Sequence, residues 1–244
     1  MALNDGIKGI LIEVHRHLER LKSEGVESIG IHVIPVEHEV PQDHTVSGHE
    51  SCSHERGSSL QSIRDLIGDC HRCKLHQTRN HIVFGEGNPN PEIVFVGEGP
   101  GFDEDKTGLP FVGKAGQYLD RIILAMGLSR KEVYICNVVK CRPPNNRVPE
   151  TDEMTACGAF LEQQLMVLQP RIIVALGATA AKWLLGKSAP MVALRGGFHD
   201  YKGICLRVTY HPAALLRNPE YRKPVWEDVQ EVMKYIGRPI PINR

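Results

Sequence analysis

Four cysteines have the residue type and spacing of soft-metal ligands. Cys70 and Cys73 form a C-x2-C pair, 67 residues separate Cys73 from Cys141, and fifteen more lead to Cys157. One local turn would supply two thiolates, and the fold must deliver the other two. Four thiolates suit zinc as well as a [4Fe-4S] cluster, and spacing alone leaves both open. Scattered core thiols are the plain alternative, but they would not need a turn enclosing the polar His71 and Arg72. Cys136 and Cys205 lie inside apolar runs and are expected in the core, and Cys52 reads as a free thiol in a linker.

Three further segments carry polar groups in unusual settings. GEGPG at 97–101 places Glu98 among Gly97, Gly99 and Gly101, with Asp103, Glu104, Asp105 and Phe111 close behind. A carboxylate there could activate water or face a developing cation; the plain alternative is a tight turn with a solvated glutamate. The segment is read neither as a dinucleotide fingerprint, since no helix is expected straight after it, nor as a Walker loop, which needs GK[ST]. Asn137 interrupts the apolar run VYICNVV. Its amide can pair with an adjacent N–H and C=O on a planar ring, which separates uracil from cytosine, or it can simply bridge strands. His211-Pro212 is read as ending a strand and opening a loop, where imidazole can donate to an oxyanion or be an ordinary turn residue. Leu215, Leu216 and Arg217 form an apolar wedge followed by a cation, able to fill a gap in stacked bases, or an ordinary helix start.

The elements that must position these groups follow from periodicity. Apolar runs rich in β-branched residues predict strands at 92–97, 133–139, 171–177 and 204–210. Helical spacing predicts helices at 114–127, 150–168, 178–185 and 223–236. That alternation implies an α/β fold: three α/β/α layers around a four-stranded parallel central sheet. Ligands of such sheets collect beyond the carboxyl ends of the strands, where GEGPG, Asn137 and His211 would converge. Upstream, residues 5–23 read as an amphipathic helix, and Gly25 to Ser59 as a His-, Ser- and Pro-rich linker whose His44, His49, Cys52 and His54 are expected to be solvated. A short helix capped by Ser59 would then lead to Cys70. The expected division is 1–58, an N-terminal helix and linker, and 59–244, the folded domain.

Composition narrows the function classes. With 29 basic and 29 acidic residues and a pI near 7.2, no global field advertises nucleic acid, so any DNA binding must come from local patches. No apolar run of about 18 residues predicts a membrane span. The start, with acidic and basic residues breaking its apolar positions, is unlike a secretory signal, and seven cysteines then argue for a reducing, cytoplasmic setting.

The segments GEGPGFDEDKTGLPFVGKAG, YICNVVKCRPPNNRVP and HPAALLRNPEYRKPVW closely resemble the iron–sulfur family 4 uracil-DNA glycosylases, in the same order and with all four cysteines, from about Leu60 to Gly237. The resemblance implies a base-excision-repair hydrolase that extrudes uracil from single- or double-stranded DNA and leaves an abasic site. It implies that Cys70, Cys73, Cys141 and Cys157 hold a [4Fe-4S] cluster, tying two segments together and setting Lys140 and Arg142 near DNA. Glu98 and Gly99 would occupy the water-activating motif that Gly101 closes, with Glu98 the acid/base group. Phe111 would stack on uracil and Asn137 pair with its O4 and N3–H. Glu104 would lie against C5 to exclude the thymine methyl, His211 bond O2, and Leu215–Arg217 press into the duplex. A monomer is implied, and the segment 142–156 has no histidine for a covalent trap. Residues 1–58 lie outside the resemblance, so their partner is unknown. A non-catalytic, polymerase-associated nucleic-acid-binding module and a zinc-stabilised nucleotide-binding module are the competing readings.

Overall fold

The computed structural model describes residues 49–240, within a compact unit spanning Ser47–Arg244. The predicted helix at 5–23 and most of the predicted linker lie outside the described residues. Six strands form one sheet among the described residues: β1 (Glu86–Gly87), β2 (Ile93–Gly97), β3 (Tyr134–Asn137), β4 (Ile172–Leu176), β5 (Phe198–Tyr201) and β6 (Ile204–Thr209), in the order β1-β3-β2-β4-β6-β5. The central four, β3-β2-β4-β6, are parallel and are the four expected strands. The sheet is larger than predicted because β1 and β5 add antiparallel edges. Neither has a strand signature: β1 is two residues long, and β5, FHDY, is half exposed.

Helices cover both faces. They are α1 (His49–Ile67), α2 (Phe102–Thr107), α3 (Lys114–Ala125), α4 (Thr151–Leu168), α5 (Ala178–Leu185), α6 (Met191–Arg195), α7 (Pro212–Arg217) and α8 (Arg222–Ile236). Alternation along each strand divides the core. Val94 and Val96 join Leu60, Ile63, Leu161 and Leu165 on the α1/α4 face, while Ile93 and Phe95 join Leu119, Ile123, Val229 and Val232 on the α3/α8 face.

Helix boundaries have local causes. α4 begins where the Glu153 carboxylate accepts the Glu150 N–H at 2.7 Å, and it ends at Gln169 in the left-handed conformation. α1 departs from expectation. It starts at His49, so Ser59 lies inside it rather than at its N-terminus. Arg56, just before its first apolar residue, donates to Leu168 O at 3.1 Å and to Asn90, so packing extends the helix upstream of its apolar stripe. The register sets Gly97 opposite Asn137 and Leu176 opposite Thr209, which levels the carboxyl ends of all four parallel strands.

Candidate active site

A cleft of about 650 Å³ opens over that levelled edge. It is lined by Glu98, Gly99, Gly101, Glu104, Phe111, Asn137, His211 and Arg217, each from a segment singled out by sequence, together with Thr179 and the turn at Gly177–Ala178. The loops after β2, β3 and β4, the loop between α2 and α3, and the starts of α2, α3, α5 and α7 therefore meet over one sheet edge.

Asn137, the last residue of β3, is 1% exposed, and its Oδ1 has no hydrogen-bond partner. A buried acceptor left unpaired costs about 1–3 kcal/mol, so this oxygen calls for a donor from a ligand or a water in the cleft. A Cβ on Gly97 would lie 2.4 Å from that oxygen and 2.5 Å from Cζ of Phe111. Only glycine lets the amide and the ring share this floor.

Phe111 is 5% exposed and held at φ 54°, a conformation that β-carbon sterics disfavour. Two devices hold it. Glu104, 9% exposed, accepts the N–H groups of Val112 and Gly113 at 2.9 Å and of Gly101 at 3.1 Å, so its carboxylate splints the loop to the start of α2. Arg130 donates to Pro110 O at 2.7 Å and Phe111 O at 3.1 Å while pairing with Glu86 and Asp120. Sequence reasoning missed Arg130, which looks like any surface arginine. The acidic run after GEGPG is thus largely structural, since Asp105 is fully buried and accepts the Asn80 N–H at 2.8 Å. A helix also starts straight after GEGPG, against expectation, because the Glu104 carboxylate in the first turn accepts the N–H of the N-cap Gly101 at 3.1 Å.

Glu98 accepts a hydrogen bond from the Thr179 hydroxyl. Thr179 sits in the first turn of α5, and nothing in the sequence around it signals a role. His211 does not open a loop but caps α7, its Nδ1 accepting the Ala213 N–H at 3.2 Å. Burial, with the Arg217 cation nearby, pushes the imidazole down to about 4. The neutral ring then carries its proton on Nε2, which is left free to donate. Its centroid lies 5.6 Å from that of Phe111.

Two expectations are corrected here. Leu215 is 1% exposed and packed in the α3/α8 core, so it is no wedge; the helical turn that buries Pro212 also turns Leu215 inward and leaves Leu216, 48% exposed, and Arg217 outside. Lys140 does not face outward. It is 1% exposed, donating to Asn137 O at 2.8 Å and Gln164 Oε1 at 2.5 Å, so it joins the cysteine loop to the end of β3.

Cys70, Cys73, Cys141 and Cys157 line one cavity behind this edge. Cys70 and Cys73 follow α1, Cys141 lies four residues past Asn137, and Cys157 is on α4. Donors point at the sulfurs: Lys140 N at 3.2 Å from Cys157 Sγ, Arg72 at 3.4 Å from Cys70 Sγ and Arg79 at 3.5 Å from Cys141 Sγ. Burial pushes the Cys141 thiol up to about 12 and raises Cys73 and Cys157 as well. Among the described residues, no three His, Cys, Asp or Glu side chains are drawn together tightly enough to grip one ion. Cys136 is fully buried, and Cys205 packs against the other core face. No described helix is long and apolar enough to cross a membrane.

The model of the uracil DNA glycosylase superfamily matches residues 84–230. A type-4 uracil-DNA glycosylase of Thermotoga maritima is 46% identical over 187 residues, covering 75% of this chain and 97% of that protein. Those of Sulfurisphaera tokodaii and Saccharolobus solfataricus are 46% and 43% identical, covering 71% and 76% of this chain and 83% and 90% of their own. The family-model match over more than half of the chain and these relatives place it plainly: the chain belongs to the uracil-DNA glycosylase superfamily.

Proposed function

We propose that this protein is a DNA-repair glycosylase of the type-4 class that extrudes uracil from DNA and hydrolyses its N-glycosidic bond, leaving an abasic site. The observation that carries the reading is the unpaired Oδ1 of buried Asn137 on the cleft floor, beside Phe111 and His211. A planar base with a ring N–H next to a carbonyl completes that amide, Oδ1 accepting N3–H and Nδ2 donating to O4. Cytosine reverses donor and acceptor on this edge. Each mispaired buried group costs about 1–3 kcal/mol, which is the selectivity device.

Extrusion costs a few kcal/mol of stacking and pairing, which Phe111 offsets by stacking on the flipped ring. Glu104 lies at the cleft wall, where it would face C5 and exclude a methyl group; its hydrogen bonds to three backbone N–H groups support a rigid wall there. Cleavage breaks the C1′–N1 bond, and the electron pair leaves with the base. Nε2–H of neutral His211 donates to O2 as negative charge collects there. The sugar becomes cationic at C1′, opposite the Glu98 carboxylate. Water then adds to C1′ and gives its proton to Glu98, whose orientation the Thr179 hydroxyl supports. Leu216 and Arg217 would fill the place vacated in the duplex.

The four cysteines fit a [4Fe-4S] cluster: an all-sulfur donor set, sulfurs spread around one cavity, and two guanidiniums directed at them. Such a cluster supplies a rigid tie between the end of α1, the loop after β3 and α4 when bound, and it takes no part in the bond cleavage. We further propose that the protein acts as a monomer in the cytoplasm, where its DNA substrate lies. Anaerobically purified protein is expected to be brown and to contain iron and sulfide in equal amounts. A colourless protein carrying one zinc would overturn the assignment.

An oligonucleotide holding one uracil, incubated with the protein and then cleaved with alkali, tests the function. Breaks are expected in the uracil lane and not in cytosine or thymine lanes, and Glu98→Gln should lose them. DNA retarded on a gel without breaks would instead support a non-catalytic binding module.

A further inference from the structure

An exposed aromatic ring stands just outside the cleft with no role in the chemistry above. Phe102, the first residue of α2, is 58% exposed and follows Gly101, which lines the cleft. On one side of its ring is Arg142, whose guanidinium carbon is 5.1 Å from the ring centroid. Arg142 Nε donates to Asn146 Oδ1 at 2.7 Å, and Asn146 and Pro143 line the cleft from the opposite lip. The turn carrying Asn146 is constrained, with Asn145 and Asn146 at φ 54° and 55°. The two lips thus meet through an arginine–phenylalanine stack.

The charge pattern is selective. Arg147, close by, is neutralised by Glu153 at 2.6 Å. Arg142 makes no ion pair among the described residues, so its cation stays uncompensated at the mouth. At an exposed site that stack contributes little to the fold, and more than half of the Phe102 surface is left open to a ligand. A nucleobase can stack on such a ring while the guanidinium meets its phosphate. In a chain of zero net charge, a local device of this kind has to supply the strand contact.

We propose that Phe102 and Arg142 form a stacking platform for an unpaired base flanking the extruded uracil, so that this protein holds single-stranded DNA more firmly than a duplex whose flanking bases remain paired. The proposal rests on reading the cleft as a uracil site. A base stacked on one aromatic ring contributes about 1–3 kcal/mol, enough for a roughly tenfold effect on affinity.

Fluorescence anisotropy with a single-stranded oligonucleotide free of uracil reads the platform without any chemistry. Phe102→Ala should raise Kd about tenfold, and Phe102→Trp should restore it. Arg142→Ala should make the log Kd against log salt slope shallower by about 0.7, the value for one lost phosphate contact on a single strand. Leu124→Ala, which removes a 74% exposed apolar side chain elsewhere, should change neither. In steady-state uracil release, the Phe102→Ala loss should fall in KM on single strands and be smaller on duplex. A Phe102→Ala protein that binds the single strand as tightly as its parent overturns the platform. If the parent protein releases no uracil, it is the reading of the cleft that fails, and anisotropy still decides the platform.

Discussion

Asn137→Ala is expected to lower kcat/KM for uracil release by about three orders of magnitude while leaving thermal stability intact. The first half follows from two lost hydrogen bonds whose ligand partners are left buried, about 1–3 kcal/mol each, at close to 1.4 kcal/mol per decade. The second half follows from the apo structure. Oδ1 is already unpaired there, so removing it breaks no hydrogen bond of that oxygen and relieves a desolvated acceptor, which offsets the small volume lost. Parallel thermal denaturation and uracil-release kinetics separate the two possible jobs of this residue. An amide that bridges strands would lose stability and activity together. A drop in Tm of several degrees, in step with the rate, would therefore remove Asn137 from the role of base reader.

His211→Ala is expected to lower kcat by about 10²–10³, the usual effect of removing one donor to a developing oxyanion. Its pH signature is more specific. With the folded imidazole near 4, the donor is the neutral ring throughout the neutral range, so the rate profile of the parent protein should have no inflection near 6.5. A rate that rose on protonation near 6.5 would make His211 an imidazolium and contradict the proposed role. Stability carries the same information. The unfolded chain takes up this proton near 6.5 and the folded one near 4, so folding is favoured fully above pH 6.5 and loses stability as pH falls from 6.5 towards 4. His211→Ala should flatten that segment of the stability curve. His211→Gln, which keeps a donor but not the titration, should recover part of kcat and share the flattened curve.

How much of this site is legible in the chain depends on whether the relevant physics is local. The parallel strands were visible because strands buried on both faces must be apolar and β-branched, as Ile172–Leu176 is. The edge strands were not, since β1 and β5 exist only through pairing with β3 and β6. Polar residues in odd places, Asn137 and Glu98, announced themselves by contrast with their neighbours. Arg130 and Thr179 did not, because each is common on a surface and acquires meaning only through residues 20 and 81 positions away. Lys140 and Leu215 misled for one reason. A lysine beside a cysteine and a leucine near an arginine are read from usual preferences for water or base stacks, whereas orientation is set by which neighbour already occupies the space.

The sequence alone determined the cysteine frame, the four parallel strands and the residues brought to their carboxyl edge, because these depend on residue type and spacing along the chain. Only the tertiary structure decided that Glu104 splints the Phe111 loop, that Leu216 and not Leu215 faces outward, and that one acceptor of Asn137 stays unpaired. Hydrogen-bond satisfaction and burial are properties of the whole packing around an atom, and segments far apart in sequence supply that packing.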